Sequence, residues 1–389
     1  MDNFIFRNPT KIYFGKGMEN STGEAVGEFS HNILLHYGGG SIKKTGLYER
    51  ITASLKSAGV TWTELPGVMP NPRLSLVQEG IRICREKNID FILAVGGGSV
   101  IDSAKAIAAG VPYEGDVWDF CENKAVPEEA IGLGAVLTIP AAGSESSNRA
   151  VITKEEGQLK RAFGSDLLYP DFSILNPELA MTLPPYQRAC GIADMMAHLL
   201  ERYFTNSSPV ELTDRMIEAV LKTVIHNGPS VMMDGDTYDA WAEIMWSGAI
   251  AHNGSLNTGR LGDWATHQIE HELSGIYDVA HGAGLSALFP HWMRYVINQD
   301  LKRFVQIAVR VWNVDQNFKS DEETAYAGIE ALEQFWRSLG LPTTLSELGI
   351  PGDRLEEMAG KCAGETEKPQ GQFVKLYKKD VQAILEMAL

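Results

Sequence analysis

The hydrophobic period of the sequence changes once, near residue 177, and this change limits the folds open to the chain. Before it, short apolar runs alternate with amphipathic stretches at 42–58 and 73–87. The runs are too short for helices and rich in β-branched or aromatic residues, which is typical of buried strands. They lie at residues 11–14, 33–37, 60–65, 91–95 and 135–139. The pattern predicts an α/β fold with a parallel sheet covered by helices on both faces.

After residue 177 the strand pattern stops, and apolar residues recur with helical spacing. Tandem Pro184 and Pro185 favour the start of a helix, because the first turn does not use their missing N–H groups. The predicted helices span 185–204, 210–226, 238–252, 261–273, 301–312 and 322–339. We therefore predict an α/β domain at 1–180 and an all-helical domain at 181–389. A cleft between two such domains is a natural place for a ligand.

The composition is that of an ordinary globular protein. Of 389 residues, 44% are hydrophobic and 22% are charged, so the chain has enough apolar surface for sizeable cores. The formal net charge of -16 disfavours nucleic acid and anionic membrane surfaces as partners. No stretch reaches the roughly 18 apolar residues of a membrane helix, and the four cysteines are widely separated. We therefore expect a cytoplasmic protein.

Two glycine-rich loops follow predicted strands, and each leads into a helix. Glycines let backbone N–H groups approach an anion closely, and the helix N-terminus adds partial positive charge. Neither loop has the GxGxxG spacing, and one loop alone would equally fit a tight turn, but two at one sheet edge favour a dinucleotide. The candidate cofactor residues are Gly38, Gly39, Gly40 and Ser41 in the first loop and Gly96, Gly97, Gly98 and Ser99 in the second.

A third loop, at residues 138–147, follows another predicted strand and combines small residues with hydroxyl groups. Ser144 and Ser147 are candidates for contacts with ribose or nicotinamide, although small polar loops are common. In the second glycine loop, Ser99 and Asp102 have the spacing of a helix capping box, which needs no ligand. The capping role and a contact with the cofactor can hold together for these two residues.

Histidines concentrate in the helical half, at a spacing that suits a metal ion. Asp194 and His198 lie four residues apart in one predicted helix, and His267 and His271 repeat this spacing, which places each pair on one helix face. His281 follows among small residues. One carboxylate with three imidazoles fits Fe²⁺ or Zn²⁺, whereas a single pair alone is usually a surface or core pair that binds no metal. The other histidines are interpreted as structural residues without such partners: His31, His36, His226, His252 and His291.

Longer stretches of the sequence resemble one known family. They are FGKG at 14–17, GGGSVIDSAK at 96–105, TIPAAGSESS at 138–147, NPELAMTLPPYQRACGIADMMAHLLERY at 176–203, and HQIEH followed by HGAG within 267–284. These stretches are similar to the iron-containing (group III) alcohol dehydrogenases, and within them to the butanol dehydrogenase and broad aldehyde reductase branch. The resemblance covers nearly the whole chain. It implies the two-domain architecture shared with dehydroquinate synthase, and a homodimer.

The resemblance implies a metal centre in the helical domain. Its ligands would be Asp194, His198, His267 and His281. His271 would stand beside the metal as a proton relay. The implied reaction is the NAD(P)H-linked interconversion of small uncharged aldehydes and primary alcohols, such as butanal and butanol. Ala141 and Ala142 stand where many relatives have threonines, which favours simple aldehydes over a narrow diol substrate.

The resemblance also implies contacts with the dinucleotide. Residues 96–99 would wrap the pyrophosphate, and Asp102 and Thr138 would lie along the nicotinamide half. Lys160 would reach the ribose of that half, and Asn71 would lie near the adenosine.

The choice between NADP and NAD is predicted from the residues that follow the second strand. An acid near that position would bind the ribose 2′-OH of NAD and repel the 2′-phosphate of NADP. The chain has Lys43 and Lys44 after the glycine loop and no acid. We therefore expect NADP(H) to be preferred, with NAD as the alternative.

Two other functions fit parts of the pattern. A metal- and NAD-dependent lyase of the dehydroquinate synthase type would need several Lys and Arg residues around an acidic substrate. A structural metal clip without enzymatic activity would leave the glycine loops without a purpose. The sequence neighbours of the candidate ligands are mainly apolar, which fits an uncharged aldehyde better: Met195, Met196, Leu199, Trp264 and Ile276.

Overall fold

The computed structural model describes residues 1–235 and 237–389. These residues form two compact units. The first unit is Arg7–Leu183, and the second combines Pro184–Leu389 with Met1–Phe6. The first six residues therefore group with the helical part of the chain and not with the strand that follows them. Within the described residues, no helix is both long and apolar enough to cross a membrane.

A parallel sheet forms the centre of the first unit. The strands of this unit are β1 (Lys11–Phe14), β2 (Asn32–Tyr37), β3 (Thr61–Leu65), β4 (Phe91–Gly97), β5 (Gly132–Ile139), β6 (Arg149–Lys154), β7 (Leu159–Gly164) and β8 (Phe172–Leu175). Six of them form one sheet in the order β1-β8-β5-β4-β2-β3, and each neighbouring pair is parallel. Strand β4 is buried along its whole length, as a sheet covered on both faces requires. The predicted parallel sheet is confirmed.

Strands β6, β7 and β8 lie outside the predicted ones. Strands β6 and β7 form an antiparallel hairpin of their own. Their sequences, RAVITK and LKRAFG, mix charged and apolar residues, so they lack the continuous apolar run used to predict the other strands. Strand β8 has only four residues and joins the sheet between β1 and β5, a pairing that its short sequence does not signal.

Helices follow the strands of the first unit. They are α1 (Thr22–Gly27), α2 (Ser41–Lys44), α3 (Leu47–Ser57), α4 (Leu74–Lys87), α5 (Gly98–Gly110) and α6 (Trp118–Cys121). The helix predicted at 42–58 is divided, because Gly46 adopts a left-handed conformation with φ 71° between α2 and α3.

The second unit is built from helices, as predicted. They are α7 (Pro185–Tyr203), α8 (Glu211–Val231), α9 (Tyr238–His252), α10 (Ala265–Tyr277), α11 (His281–Val296), α12 (Leu301–Arg310), α13 (Asp321–Ser338), α14 (Leu355–Cys362) and α15 (Lys378–Met387). Helix α7 packs against α8, α9 and α11. Helix α11 was not predicted, because its glycine-rich start and internal Pro290 obscure the helical pattern.

The helix predicted at 261–273 begins later, at Ala265. Trp264 has φ 67°, a left-handed conformation that cannot belong to a regular α-helix. The prediction for α8 is also too short, since that helix continues through Pro229 to Val231. Both differences arise from local conformations that the apolar spacing does not report.

Candidate metal centre and cofactor loops

Helix α7 carries ionisable side chains into the interior of the second unit. Residues 191–205 are all buried, yet they include Asp194, His198 and Glu201. Asp194 and His198 share one face of the helix, and Nε2 of His198 lies 3.4 Å from Oδ1 of Asp194. Buried polar groups need partners to offset the loss of water. Residues from other helices must therefore complete this cluster.

Helices α10 and α11 supply the remaining members. His267 lies in the first turn of α10, and His281 begins α11. Asp194, His267 and His281 each offer one ligand atom, and these three atoms lie within 4.8 Å of one another. The ring centroid of His198 lies 4.6 Å from that of His267. The structure thus brings together the four residues expected to be ligands, and metal binding by them stays a prediction.

The donor set fits a transition metal. Burial lowers the pKa of His267 to about 3 and holds the pKa of His198 well below its ordinary value. Both imidazoles are therefore neutral at neutral pH. Nε2 of His267 is buried and has no hydrogen-bond partner among the described residues. A buried imidazole nitrogen with a lone pair is a suitable ligand atom for Fe²⁺ or Zn²⁺.

Two buried carboxylates that the sequence analysis missed lie behind the candidate ligand rings. Oε1 of Glu201 is 2.9 Å from Nδ1 of His267, and Oε2 of Glu270 contacts Nδ1 of His281. Each carboxylate follows a candidate ligand by three residues on a buried helix, Glu201 after His198 and Glu270 after His267. This i, i+3 spacing is the signal that could have identified them. Carboxylates in such positions orient ligand histidines and set their tautomer.

Arg202 and His252 lie beside His198. The Arg202 guanidinium is 1% exposed and donates to the backbone oxygen of His198 at 2.7 Å and to Nδ1 of His252 at 2.7 Å. The ring centroids of His198 and His252 are 4.3 Å apart. The expectation that His252 lacks partners near the site is therefore wrong. The contact joins α7 to the end of α9, and no spacing within either helix reveals it.

Trp264 borders the same rings. Its backbone N–H donates to Oε2 of Glu201 at 2.6 Å, which helps to hold its left-handed conformation. Its ring centroid lies 5.6 Å from that of His198 and 5.3 Å from that of His267. The apolar residues of α7 that neighbour the candidate ligands in the sequence are completely buried: Met195, Met196 and Leu199.

His271 lies one turn after His267 on α10 and is 4% exposed. Its ring centroid is 5.8 Å from that of His281. Glu270, His271 and His281 form a second group whose ligand atoms lie within 4.8 Å of one another. A place beside the cluster suits either a relay or a ligand, so the role of His271 stays a prediction.

The proposed cofactor loops of the first unit leave the carboxyl ends of β2, β4 and β5. These strands bring the loops to one sheet edge, since β4 lies between β2 and β5. Gly40 has φ 103°, which favours glycine, and a Cβ at Gly97 would lie 2.9 Å from Ile139. At Gly39 a Cβ would meet nothing within 4 Å, so packing does not explain this glycine. Gly38 to Gly40 follow β2, Ser41 begins α2, Gly96 and Gly97 end β4, and Gly98 and Ser99 begin α5.

The capping-box interpretation of Ser99 and Asp102 is wrong. Helix α5 begins at Gly98, so Ser99 lies inside the first turn, and no side chain of the described residues caps the N-terminus of this helix. Asp102 instead accepts hydrogen bonds from Oγ of Ser144 at 2.6 Å and from the backbone N–H of Val151 at 3.0 Å. Asp102 therefore connects α5 to the third loop and to β6.

Lys105, which the sequence analysis also missed, holds the third loop. Its side chain is completely buried, and Nζ donates to the backbone oxygens of Ser144, Ser147 and Arg149 at 2.6, 2.8 and 2.9 Å. The hydroxyl groups of Ser144 and Ser147 lie 2.9 and 3.3 Å from the same Nζ. These hydroxyls therefore have partners inside the first unit, and their contact with a cofactor stays a prediction.

Asn71 and Lys160 belong to connected segments. The backbone oxygen of Pro72 accepts a hydrogen bond from Thr153 at 2.8 Å, and Thr153 pairs with Lys160 across the β6–β7 hairpin. Asn71 is 5% exposed and Lys160 is 4% exposed. Thr138 lies near the end of β5 and is half-buried.

Comparisons with known proteins indicate the same family for both halves of the chain. Residues 9–177 match the family described as "Iron-containing alcohol dehydrogenase", and residues 188–389 match "Fe-containing alcohol dehydrogenase family, C-terminal". "Probable NADH-dependent butanol dehydrogenase 1" of Bacillus subtilis (strain 168) is 46% identical over 389 residues, with 100% of both chains covered. An NADPH-dependent aldehyde reductase of Escherichia coli (strain K12) is 36% identical over 364 residues, with 93% of each chain covered.

A solved structure also matches the fold. The NADH-dependent butanol dehydrogenase A of Thermotoga maritima is 40% identical and has a TM-score of 0.95, with 100% of this chain and 99% of that chain covered. The parallel sheet followed by a helical region is thus the two-part architecture of dehydrogenase structures. The chain belongs to the iron-containing alcohol dehydrogenase family, in its butanol dehydrogenase branch. It is an oxidoreductase, an alcohol dehydrogenase or aldehyde reductase of this family.

Proposed function

We propose that the protein is a metal-dependent, NAD(P)H-linked enzyme that interconverts small uncharged aldehydes and primary alcohols, such as butanal and butanol. One observation carries this proposal: a carboxylate and three imidazoles converge inside the second unit, from Asp194, His198, His267 and His281. The named activities of the butanol dehydrogenase and aldehyde reductase relatives support the substrate class.

The converging residues would hold Fe²⁺ or Zn²⁺. Such an ion, when bound, stabilises the negative charge that develops on the substrate oxygen during hydride transfer. Burial keeps the His198 and His267 rings neutral. Oε1 of Glu201 accepts a hydrogen bond from Nδ1 of His267, which leaves the lone pair of that ring on Nε2. His271 would deliver a proton to the alkoxide, a task that suits an imidazole.

The surroundings of the cluster support an uncharged substrate. Trp264 places an aromatic ring against His198 and His267. A cation does lie beside His198, but this residue, Arg202, is buried and already donates to His198 and His252. Arg202 is therefore not available to bind the acidic substrate expected for an enzyme of the dehydroquinate synthase type.

For the cofactor, we propose that NADP(H) is preferred and that NAD(H) is also accepted. Lys44 is exposed after the first glycine loop, which supports binding of a 2′-phosphate. Lys43 supports it less than the sequence suggests, because its Nζ lies 3.5 Å from Oε2 of Glu64 on β3. Glu64 also accepts a hydrogen bond from the Tyr37 hydroxyl at 2.5 Å. The relatives named above include both NADH- and NADPH-dependent enzymes.

The homodimer implied by the family resemblance and the cytoplasmic location expected from the widely separated cysteines are further proposals. Light scattering from the purified protein tests the first, with twice the mass of one chain as the expected result. Fractionation of the producing cells tests the second.

A matched pair of aldehydes tests the proposed substrate class. The metal-loaded protein is mixed with NADPH or NADH, and the loss of near-ultraviolet absorbance is followed with butanal and with succinic semialdehyde, which carries a carboxylate at the far end of a chain of the same length. We expect the higher kcat/KM for butanal. An equal or higher value for the anionic aldehyde would contradict an uncharged substrate.

A further inference from the structure

A buried carboxylate on α10 contacts the histidine that begins α11. Glu270 is completely buried, and its Oε2 contacts Nδ1 of His281. Its other oxygen, Oε1, accepts a hydrogen bond from Oγ of Ser274, one turn further along α10. An ionised carboxylate only accepts hydrogen bonds, so Nδ1 of His281 must donate the proton in this contact.

This contact determines which nitrogen of His281 is available to a metal ion. A neutral imidazole with its proton on Nδ1 keeps the lone pair on Nε2. Nε2 of His281 is the nitrogen that faces Asp194, at 3.8 Å from Oδ1. The side chain of His281 is 23% exposed, whereas that of Glu270 is fully buried. The fully buried Glu270 carboxylate therefore contacts the His281 ring on the side that faces the protein interior.

A glycine on α11 makes room for the carboxylate. A Cβ at Gly284 would lie 2.7 Å from Oε1 of Glu270 and 2.8 Å from its Cγ. Real Cβ atoms do not approach other heavy atoms this closely, so a side chain at residue 284 would displace the Glu270 carboxylate. The close approach of Glu270 therefore explains why a glycine stands at residue 284, the last position of the HGAG motif.

Glu270 differs in this respect from Glu201. Glu201 accepts backbone N–H groups of Trp264 and His267 as well as Nδ1 of His267, so its loss would disturb the start of α10. Glu270, in the contacts described above, meets the side chains of His281 and Ser274, and His281 is a candidate ligand. Replacing Glu270 therefore tests the ligand more directly than replacing Glu201.

We propose that Glu270 is a positioning residue of the metal centre, which orients His281 and keeps Nε2 of that ring as the ligand atom. This inference rests on the proposed metal centre. It assigns to Glu270 no contact with substrate or cofactor, and it gives Gly284 the supporting role of leaving space for the carboxylate.

Metal affinity measured in the absence of substrate tests the proposal. Metal-free protein competes for Zn²⁺ with a chromogenic chelator, and the dissociation constant is compared among wild type, Glu270→Gln and Gly284→Ala. Loss of a carboxylate behind a ligand histidine weakens metal binding by about 10- to 100-fold, and we expect a weakening of this size for Glu270→Gln and a weakening in the same direction for Gly284→Ala. The absorption spectrum of the Co²⁺-loaded proteins should change as well, because the ligand geometry changes.

A buried carboxylate away from the cluster supplies the control. Glu218 is 5% exposed and bonds to Tyr203 and Arg310, so Glu218→Gln should lower stability and leave the Zn²⁺ dissociation constant unchanged. Wild-type affinity in Glu270→Gln, or equal weakening in Glu218→Gln, would overturn the proposal. If Glu270→Gln does not fold, wild-type affinity in Gly284→Ala overturns it. Wild-type protein that binds no Zn²⁺ would instead overturn the proposed metal centre itself.

Discussion

Glu201 holds His267 at two points. Its Oε1 accepts a hydrogen bond from the backbone N–H of His267 at 3.0 Å and another from Nδ1 of the same residue at 2.9 Å. The first bond places the start of α10 against α7, and the second orients the imidazole. The same carboxylate therefore connects the packing of two helices to the availability of one ligand nitrogen.

The first prediction concerns the candidate ligands. Asp194→Ala and His267→Ala should give folded protein that contains little metal. Loss of the metal removes several kcal/mol of transition-state stabilisation, so turnover should fall by about 100-fold or more. Elemental analysis and circular dichroism check metal content and folding. His226→Ala, an exposed histidine of the same unit, should keep both metal and activity. Ligand variants with full metal content and wild-type rates would contradict the assignment.

The second prediction concerns His271. His271→Asn should retain bound metal, because Asp194, His198, His267 and His281 still supply ligands. If His271 transfers a proton, its removal should lower kcat by about 100-fold or change the pH dependence of kcat. The pH–rate profile and the metal content are measured together. Loss of metal would make His271 a ligand, and unchanged turnover with an unchanged profile would deny it a role in catalysis.

The third prediction concerns the pH dependence of stability. His36 on β2 is completely buried. Its Nδ1 donates to the backbone oxygen of Leu65 at 2.8 Å, and its Nε2 lies 2.9 Å from Oγ of Ser103. Burial lowers its pKa to about 4. Above pH of about 6.5 the ring is neutral in both folded and unfolded chains. Between that pH and pH 4 only the unfolded chain gains the proton, so folding loses roughly 3 kcal/mol.

Urea unfolding of metal-free protein at several pH values tests this loss. His36→Gln should lower stability at neutral pH and remove the part of the pH dependence that His36 causes. His31→Gln, in which an exposed histidine is replaced, should keep the wild-type dependence. Identical pH profiles for wild type and His36→Gln would show that the ring does not stay neutral in the fold.

The fourth prediction concerns cofactor choice. Glu64 offsets the charge of Lys43, so Glu64→Gln should raise the ratio of kcat/KM for NADPH to kcat/KM for NADH. We expect a change of about fivefold, the size of one partly exposed charge pair. Glu49→Gln removes the same charge from an exposed site on α3 and should leave the ratio unchanged. A ratio that falls in Glu64→Gln would show that Lys43 does not face the ribose phosphate.

The apolar period was sufficient to predict the parallel sheet and the helical half, because strands such as β4 are buried on both faces and helices such as α7 are long. It failed for the hairpin β6–β7, whose charged residues interrupt the apolar run. It also failed at Trp264, where a hydrogen bond to Glu201 supports a backbone conformation that the residue itself does not favour. Local patterns report burial, and they do not report such tertiary bonds.

The i, i+4 spacing places Asp194 with His198, and His267 with His271, on one helix face each, and the choice of Asp194, His198, His267 and His281 as candidate ligands came from the family resemblance. The place of His252 was not predictable, since it meets Arg202 and His198 only after α7 and α9 pack together. The partners of Glu270 show the same limit, because His281 belongs to the following helix.

The most direct test of the proposed function is the removal and return of the metal while turnover is measured. The purified protein is treated with a chelator, freed of it, and assayed with butanal and NADPH or NADH before and after addition of Fe²⁺ or Zn²⁺. We expect the loss of near-ultraviolet absorbance to stop in the metal-free protein and to resume with one metal ion per chain. Undiminished turnover without metal, or fully metal-loaded protein that oxidises neither cofactor, would contradict a metal-dependent aldehyde reductase.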